Sequence, residues 1–371
     1  MSTHKIPIFF QSLGQRTCLI TPAGKHSYRN LYEALKSSAA VAEPSATFSW
    51  SALIHLLQSV IWNHPFSFLP KENSTPGLWL QTTGTTGQPK WVHHPWKNWL
   101  KQYRWKDGGE KSLLQVMAFD HIGGLHSIFS ALSRGMTLVI PEAKDGTSVK
   151  KALMEHRVFL LPTTPAHLAL LLQSGCFDET LPHLKLISYG AEAMSPALKK
   201  SITALQPHLR WRETYGSTET GILPLQSGAK PGIWKVAFPY QVIAGELQTQ
   251  NLQGEWLPTG DLVEELEKNS LRFLGRKSNR IKVGGVLVFP DQTAAYLRQQ
   301  TGVWQANVEA VTNPLLGQVL LAHIWVAPGT DVVALEKHLR TSFPPGFTKE
   351  AQPVRYCFHS IIELNHRLKT P

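Results

Sequence analysis

Short apolar runs alternate along the chain with segments whose apolar positions recur at helical spacing. Residues 77–84, GLWLQTTG, predict a strand running into a loop. LLQVMAF (113–119) is an apolar run, and GGLHSIFSALSRG (123–135) after it has helical spacing. MTLVIPE (136–142) reads as a strand. Residues 149–175 read as helix, strand, turn and helix, and residues 184–205 as strand, loop and helix. RWRETYGSTETG (210–221) reads as a strand entering a Gly/Ser/Thr loop. This rhythm predicts an α/β fold with a mainly parallel sheet flanked by helices, in which loops after strand carboxyl ends collect ligands.

After about Gly228 the texture changes. YQVIAGELQTQ (240–250) and EELEKNSLRFLGRK (264–277) read as strands and hairpins, which predicts a small β-rich subdomain. From Ile281 the order is strand, helix 291–302, strands 306–311 and 319–327, and helix 331–343. The expected division is a large N-terminal domain, residues 1–277, and a small mobile α+β C-terminal domain, residues 278–371.

The chain has 371 residues, 42% hydrophobic and 17% charged, which suits a globular protein of roughly two domains at about 100–200 residues each. Its formal net charge of +11 points to an anionic partner, but the basic residues are scattered. Phosphorylated or acidic small molecules fit that distribution better than nucleic acid does. Cys18, Cys176 and Cys357 lie far apart, which suits reduced thiols and a cytoplasmic setting. No apolar run is long enough for a membrane helix, and the N-terminus has no secretion signal.

Residues 82–90, TTGTTGQPK, raise the first chemical possibility. Gly84 and Gly87 permit close backbone approach. The hydroxyls of Thr82, Thr83, Thr85 and Thr86 can donate to phosphate oxygens, and Lys90 adds positive charge. The Walker pattern fails, because Pro89 stands where its second glycine belongs and Trp91 where its Ser/Thr belongs. A Thr/Gly surface loop is the alternative. Three further loops favour phosphate chemistry. YGSTETG (215–221) sets hydroxyls beside Glu219, PTGDLV (258–263) holds Asp261 after a Thr-Gly turn, and GRKSNRIKVGG (275–285) supplies Arg276, Lys282 and two glycines.

Together, in this order, the four loops resemble the signature of the adenylate-forming superfamily: acyl-CoA synthetases, peptide-synthetase adenylation domains and luciferases. The pattern [ST]-[ST]-G-[ST]-T-G-x-P-K is met by TTGTTGQPK, Y-G-x-T-E by YGSTE and T-G-D by TGD. In G-R-x-D-D-x-I-K-x-x-G, Ser278 and Asn279 replace the two acidic residues.

The resemblance assigns roles by position. Thr82, Thr83, Gly84, Thr85, Thr86, Gly87 and Lys90 would hold the β- and γ-phosphates of ATP. Gly190 and Ala191, in SYGAE, would line the adenosine pocket. Tyr215 would stack near adenine, followed by Gly216 and Ser217. Thr218 would touch the α-phosphate and Glu219 would bind Mg²⁺. Asp261 and Arg276 would hold the ribose hydroxyls. FDHIGGLHSIFSAL (119–132) would place His121 near the acyl group; a zinc site at His121 and His126 lacks a third ligand. Ser278 falls on the domain pivot, and Lys282, Gly284 and Gly285 on the pantetheine tunnel for CoA. In the tail, FHSIIELNHRLKTP, Lys369 falls on the lysine that serves the first step, with Arg367 second; Leu368 falls on a glycine of the family segment.

The implied activity is ATP-dependent carboxylate–CoA ligation through an acyl-adenylate. Only about 80 residues precede the phosphate loop, which implies a shortened N-terminal subdomain. Among short members the chain most resembles the o-succinylbenzoate–CoA ligases of menaquinone and phylloquinone synthesis. Another acyl-, aryl- or carrier-loading ligase, or a non-catalytic adenylate-binding remnant, is the alternative. The implied partners are a carboxylic acid, ATP and CoA, with no nucleic acid and no membrane insertion; oligomeric state is not readable.

Overall fold

The structure is a computed structural model, and it describes residues 3, 5–37, 48–69, 75–82, 90–226, 233–267 and 269–370. Its spine is one thirteen-stranded sheet. In spatial order the strands are Tyr240–Ile243, Glu246–Gln250, Trp256–Glu267, Ser270–Arg276, Ile233–Val236, Gly221–Gln226, Arg210–Ser217, Leu186–Tyr189, Leu160–Thr163, Ser112–Leu114, Thr137–Val139, Thr17–Thr21 and Gly24–Ser27. From Arg210–Ser217 to Thr17–Thr21 neighbours run parallel. From Arg210–Ser217 toward Tyr240–Ile243 every pair is antiparallel. The β-rich part expected after Gly228 therefore continues the large sheet, with a small core of its own around Leu225, Val236, Leu247, Val263 and Leu271.

Connection order creates the crevice. Ser112–Leu114 lies between Thr137–Val139 and Leu160–Thr163. The chain leaves it through helix Ile122–Leu132 to one neighbour, then crosses back through helix Gly146–Glu155 to the other. Right-handed crossovers in opposite directions put the two helices on opposite faces. They do pack into different cores: Leu125, Ile128 and Phe129 into one, Val149, Ala152 and Leu153 into the other. The loops at the carboxyl ends diverge there, which is where an open α/β sheet binds ligands.

Local signals explain the helices beside that crevice. Thr164 caps helix Pro165–Gln173 by accepting from His167 N at 3.1 Å, and proline fills the first helical position. Helix Pro196–Leu205 starts the same way from Ser195. Both use an N-cap hydroxyl followed by a residue pre-set in φ.

A separate three-stranded sheet joins Pro65–Ser67, Gly77–Gln81 and Trp91–His94. Beyond the large sheet, strands Val303–Asn313, Gly317–Val326 and Arg355–His359 form another, under helices Pro290–Arg298 and Val332–Thr341. Ile281–Val283 and Val286–Val288 make a hairpin whose turn is Gly284–Gly285, at φ +55° and +89°. A two-residue turn with φ positive at both positions demands this pair. Trp304, Trp325, Ile362 and Leu368 belong to the same buried cluster as Leu168, Leu171 and Ile187, so the C-terminal part docks on the parallel sheet's flank. Among the described residues no helix is long and apolar enough to cross a membrane.

Candidate active site

Strands Gly77–Gln81 and Trp91–His94 pair antiparallel as a hairpin whose described residues end at Thr82 and Lys90. Its mouth is closed by Thr82 and Lys90. Thr82 N donates to Lys90 O at 2.8 Å, and Lys90 N donates to Thr82 Oγ1 at 3.3 Å. Thr83, Gly84, Thr85, Thr86 and Gly87 lie outside the described residues.

The hairpin is tied to the second loop by a histidine that no sequence motif marks. His94 is buried, and its Nε2 lies 2.6 Å from Thr218 O. A carbonyl only accepts, so Nε2 carries the proton. Burial drives this imidazole down to about 4, so it is neutral near pH 7 and holds that tautomer. Nδ1 has no hydrogen-bond partner among the described residues. His94 thus fixes the position of Thr218 and Glu219 against the hairpin. Nothing in HHP marks one histidine as structural, because its partner is a carbonyl 124 residues away.

Strand Arg210–Ser217 carries Tyr215, Gly216 and Ser217, and the turn 218–220 returns the chain into Gly221–Gln226. Ser217 N donates to Thr220 Oγ1 at 3.0 Å, which braces the turn. Thr218 and Glu219 are half-buried at its tip.

TGD lies inside strand Trp256–Glu267, not after a turn as the sequence suggested. The ladder partner of Asp261 is Arg276, so the two motifs face each other across one strand pair. Asp261 is 2% exposed and its Oδ2 accepts from Tyr215 Oη at 2.6 Å. Arg276 Nε lies 2.8 Å from Oδ1, yet the approach is misaligned and leaves that oxygen without a true hydrogen bond. Burial pushes the Asp261 carboxyl up, while Arg276 and Tyr215 pull it back down. A carboxylate oxygen held by charge but short of a donor suits a hydroxyl from a ligand. The Tyr215 ring stacks on Phe238 at 5.8 Å between centroids, so this tyrosine links the ring platform to the acid.

Gly190 follows strand Leu186–Tyr189 at its carboxyl end. A Cβ there would fall 2.5 Å from Thr214 Oγ1 and 2.7 Å from Thr214 O. Ala191 after it has φ +70°, a left-handed conformation that stores strain at a turn over the crevice. Gly190→Ala is expected to lose about 1–3 kcal/mol through overpacking against strand Arg210–Ser217. A thermal melt checks this; an unchanged melting temperature would mean the two strands are not held so closely.

His121 caps helix Ile122–Leu132, accepting from Gly123 N at 3.3 Å through Nδ1. It sits at the switch point of the sheet. Burial first, then the cations Arg367 and Lys369, lower its imidazole to about 4. The charges of the tail thus reach His121. The backbone of Asn365 and Lys369 closes that tail as a turn, Asn365 N to Lys369 O at 2.9 Å, and Thr164 Oγ1 donates to Leu368 O. Among the described residues no three His, Cys, Asp or Glu side chains form a metal cage, and the Tyr103 hydroxyl stands 3.4 Å from His126 Nδ1.

The junction between the two parts is the turn Lys277–Asn279. Ser278 Oγ donates to Asn279 Oδ1 at 3.1 Å. The carboxylate missing at 278 and 279 stands nearby on another element. Asp291, in the first turn of helix Pro290–Arg298, accepts from Arg276 N at 2.8 Å and from Asn279 Nδ2 at 3.3 Å. Lys282, Gly284 and Gly285 are exposed on the hairpin that follows this turn.

Comparison with known proteins follows the same outline. Residues 64–235 match the family model described as AMP-binding enzyme. The chain is 23% identical over 316 residues to tyrocidine synthase 3 of Brevibacillus parabrevis, covering 71% of this chain and 5% of that protein. It is 26% identical over 291 residues to a 2-succinylbenzoate–CoA ligase of Bacillus cereus, covering 66% of this chain and 59% of that protein. The chain thus spans less than two thirds of the length of these relatives. In three dimensions it resembles the anthranilate CoA ligase AuaEII in complex with anthranoyl-AMP, with a TM-score of 0.76 and 15% identity over 98% of this chain and 95% of that one.

Proposed function

From the AMP-binding family domain at residues 64–235, we propose that the chain activates a carboxylic acid with ATP and passes the acyl group to a thiol. The observation that supports this reading is the tie from His94 to Thr218, which anchors the strand leading out of the Thr82–Lys90 mouth to the turn bearing Glu219. Asp261 and Tyr215 stand on the sheet that continues from that turn.

The chemistry follows from charge. A carboxylate oxygen attacks the α-phosphorus of ATP, the bond to the β-phosphate oxygen breaks, and pyrophosphate leaves. Negative charge gathers on phosphate oxygens, so positioned cations and donors do most of the work. Lys90 and the TTGTTG stretch are assigned to the leaving pyrophosphate, Thr218 to the α-phosphate, and Asp261 with Arg276 to the ribose hydroxyls. Glu219 is a single half-buried carboxylate beside that path, which fits Mg²⁺, an ion held by one or two carboxylates plus substrate phosphates. When bound, that ion supplies charge neutralisation on the phosphates. Lys369, on the tail that Thr164 holds at Leu368, is assigned to bring an ammonium to the crevice for the same step. In the second step a CoA thiolate attacks the acyl carbon and AMP leaves with the bonding electrons. Lys282, Gly284 and Gly285 are assigned to that step, with rotation about Ser278. A cytoplasmic setting supplies ATP and CoA.

For the acid we propose o-succinylbenzoate, in menaquinone or phylloquinone synthesis. The Bacillus cereus relative acts on that acid by name, and a +11 chain suits a dianion. ATP–pyrophosphate exchange across o-succinylbenzoate, anthranilate, benzoate and fatty acids tests both levels. The expected result is exchange strongest with o-succinylbenzoate. Exchange with another acid alone would replace the substrate, and no exchange with any acid would overturn the catalytic reading.

A further inference from the structure

Glu192 belongs to the SYGAE segment, two residues past Gly190, and has no role so far. Four groups converge on it. Gln305 Nε2 donates to its Oε2 at 2.8 Å from across the interface with the C-terminal part. The backbone amide of Ala166, in the first turn of helix Pro165–Gln173, favours the charged form of the same carboxylate. Arg298 and Lys369 are the cations that act on it.

The bridging amide is built for this contact. Gln305 is 2% exposed, at a bulge in strand Val303–Asn313 that shifts its register against Gly317–Val326. Its Oε1 accepts from Arg298 Nε at 2.6 Å and from Ala306 N at 2.9 Å. With the oxygen end committed to donors, the NH₂ end must face an acceptor, and a buried amide without one costs stability. Glu192 is that acceptor. Close by, Ser195 Oγ donates to Val303 O at 2.6 Å.

We propose that Glu192 is the positioning residue that, through Gln305, holds the C-terminal part and the tail bearing Lys369 in this orientation. On the crevice loop its carboxylate accepts from Gln305 and feels the charges of Arg298 and Lys369. The proposal rests on the adenylation reading for its catalytic arm only.

The test uses Glu192→Gln and Gln305→Ala in the full chain. Glu192→Gln keeps an acceptor oxygen but removes the charge facing Arg298 and Lys369. ATP–pyrophosphate exchange is expected to fall about 10–100-fold in each variant, the loss of a charge-assisted contact, while thioester formation from supplied acyl-adenylate stays within about twofold. Glu192→Asp is expected to recover part of the exchange. Spin labels at Leu205→Cys and Val333→Cys in a Cys357→Ser background give a second readout. One interlabel distance is expected with Glu192 in place, and a broader or shifted distribution in the Glu192→Gln variant.

Equal loss of both half-reactions with an unchanged distance would make Glu192 merely structural and overturn the proposal. So would no change in any readout. If the unsubstituted chain exchanges pyrophosphate with no acid, the catalytic reading fails. The distance measurement then still decides for or against Glu192.

Discussion

Lys369→Ala is expected to lower ATP–pyrophosphate exchange by at least about 10²-fold while thioester formation from supplied acyl-adenylate persists, because the ammonium meets charge that exists only at the phosphoryl transition state. The structure makes this a clean substitution. The tail turn is closed by backbone and by the Asn365 side chain, which accepts from Lys369 N at 3.3 Å and from Arg367 N at 2.9 Å. Removing the ammonium leaves those bonds in place. Arg367 is the rival, because it also acts on His121. The paired variant Arg367→Ala decides between them. If it abolishes adenylation and Lys369→Ala does not, the roles are exchanged; if neither does, the tail takes no part in the first step.

The second large effect is expected at Asp261. Asp261→Asn keeps the shape of the side chain and an acceptor for Tyr215, but removes the charge opposite Arg276. Hydrogen bonds to a charged group contribute about 1.5–3 kcal/mol each, so kcat/KM for ATP should fall about 10–100-fold per ribose hydroxyl lost. The sharper check is discrimination. The unsubstituted chain should use 2′-deoxy- and 3′-deoxy-ATP poorly, and the Asp261→Asn variant should treat them nearly like ATP, as a double-mutant cycle requires of a direct contact. Equal discrimination by both proteins would mean the ribose sits elsewhere. Folding should suffer little, since burial already raises the Asp261 carboxyl and the neutral amide avoids that desolvation.

What the sequence made legible was whatever is local. Helix Ile122–Leu132, the alternation from Leu160 to Gln173 and the strand ending at Ser217 follow from periodicity and from caps such as Thr164-Pro165. The TTGTTGQPK and YGSTE stretches stood out because each sets glycine beside hydroxyls and one charged side chain after an apolar strand pattern. What escaped was long-range. Strand Arg355–His359 is short and pairs parallel to Gly317–Val326, so no turn announces it. TGD reads as a turn because Thr-Gly favours one, whereas its ladder to Arg276 holds it in a strand. His94, Asp291 and Glu192 act through partners on other elements, and no spacing along the chain encodes such a meeting. Ser278 and Asn279 read as a missing charge, yet Asp291 places a carboxylate at the same junction.

One feature of the tail bears on timing. Leu368 stands at φ +60° and is 3% exposed, a non-glycine residue in a left-handed conformation with its side chain in the core beside Trp304 and Trp325. Its awkward backbone is held because the side chain is buried. Any swing that undocks the tail must draw that leucine into water, at about 1.5–3 kcal/mol, which weights the docked orientation about 10–100-fold before any ligand is counted. On the two-step reading proposed above, the orientation that meets the thiol is reached only against the burial of this one side chain.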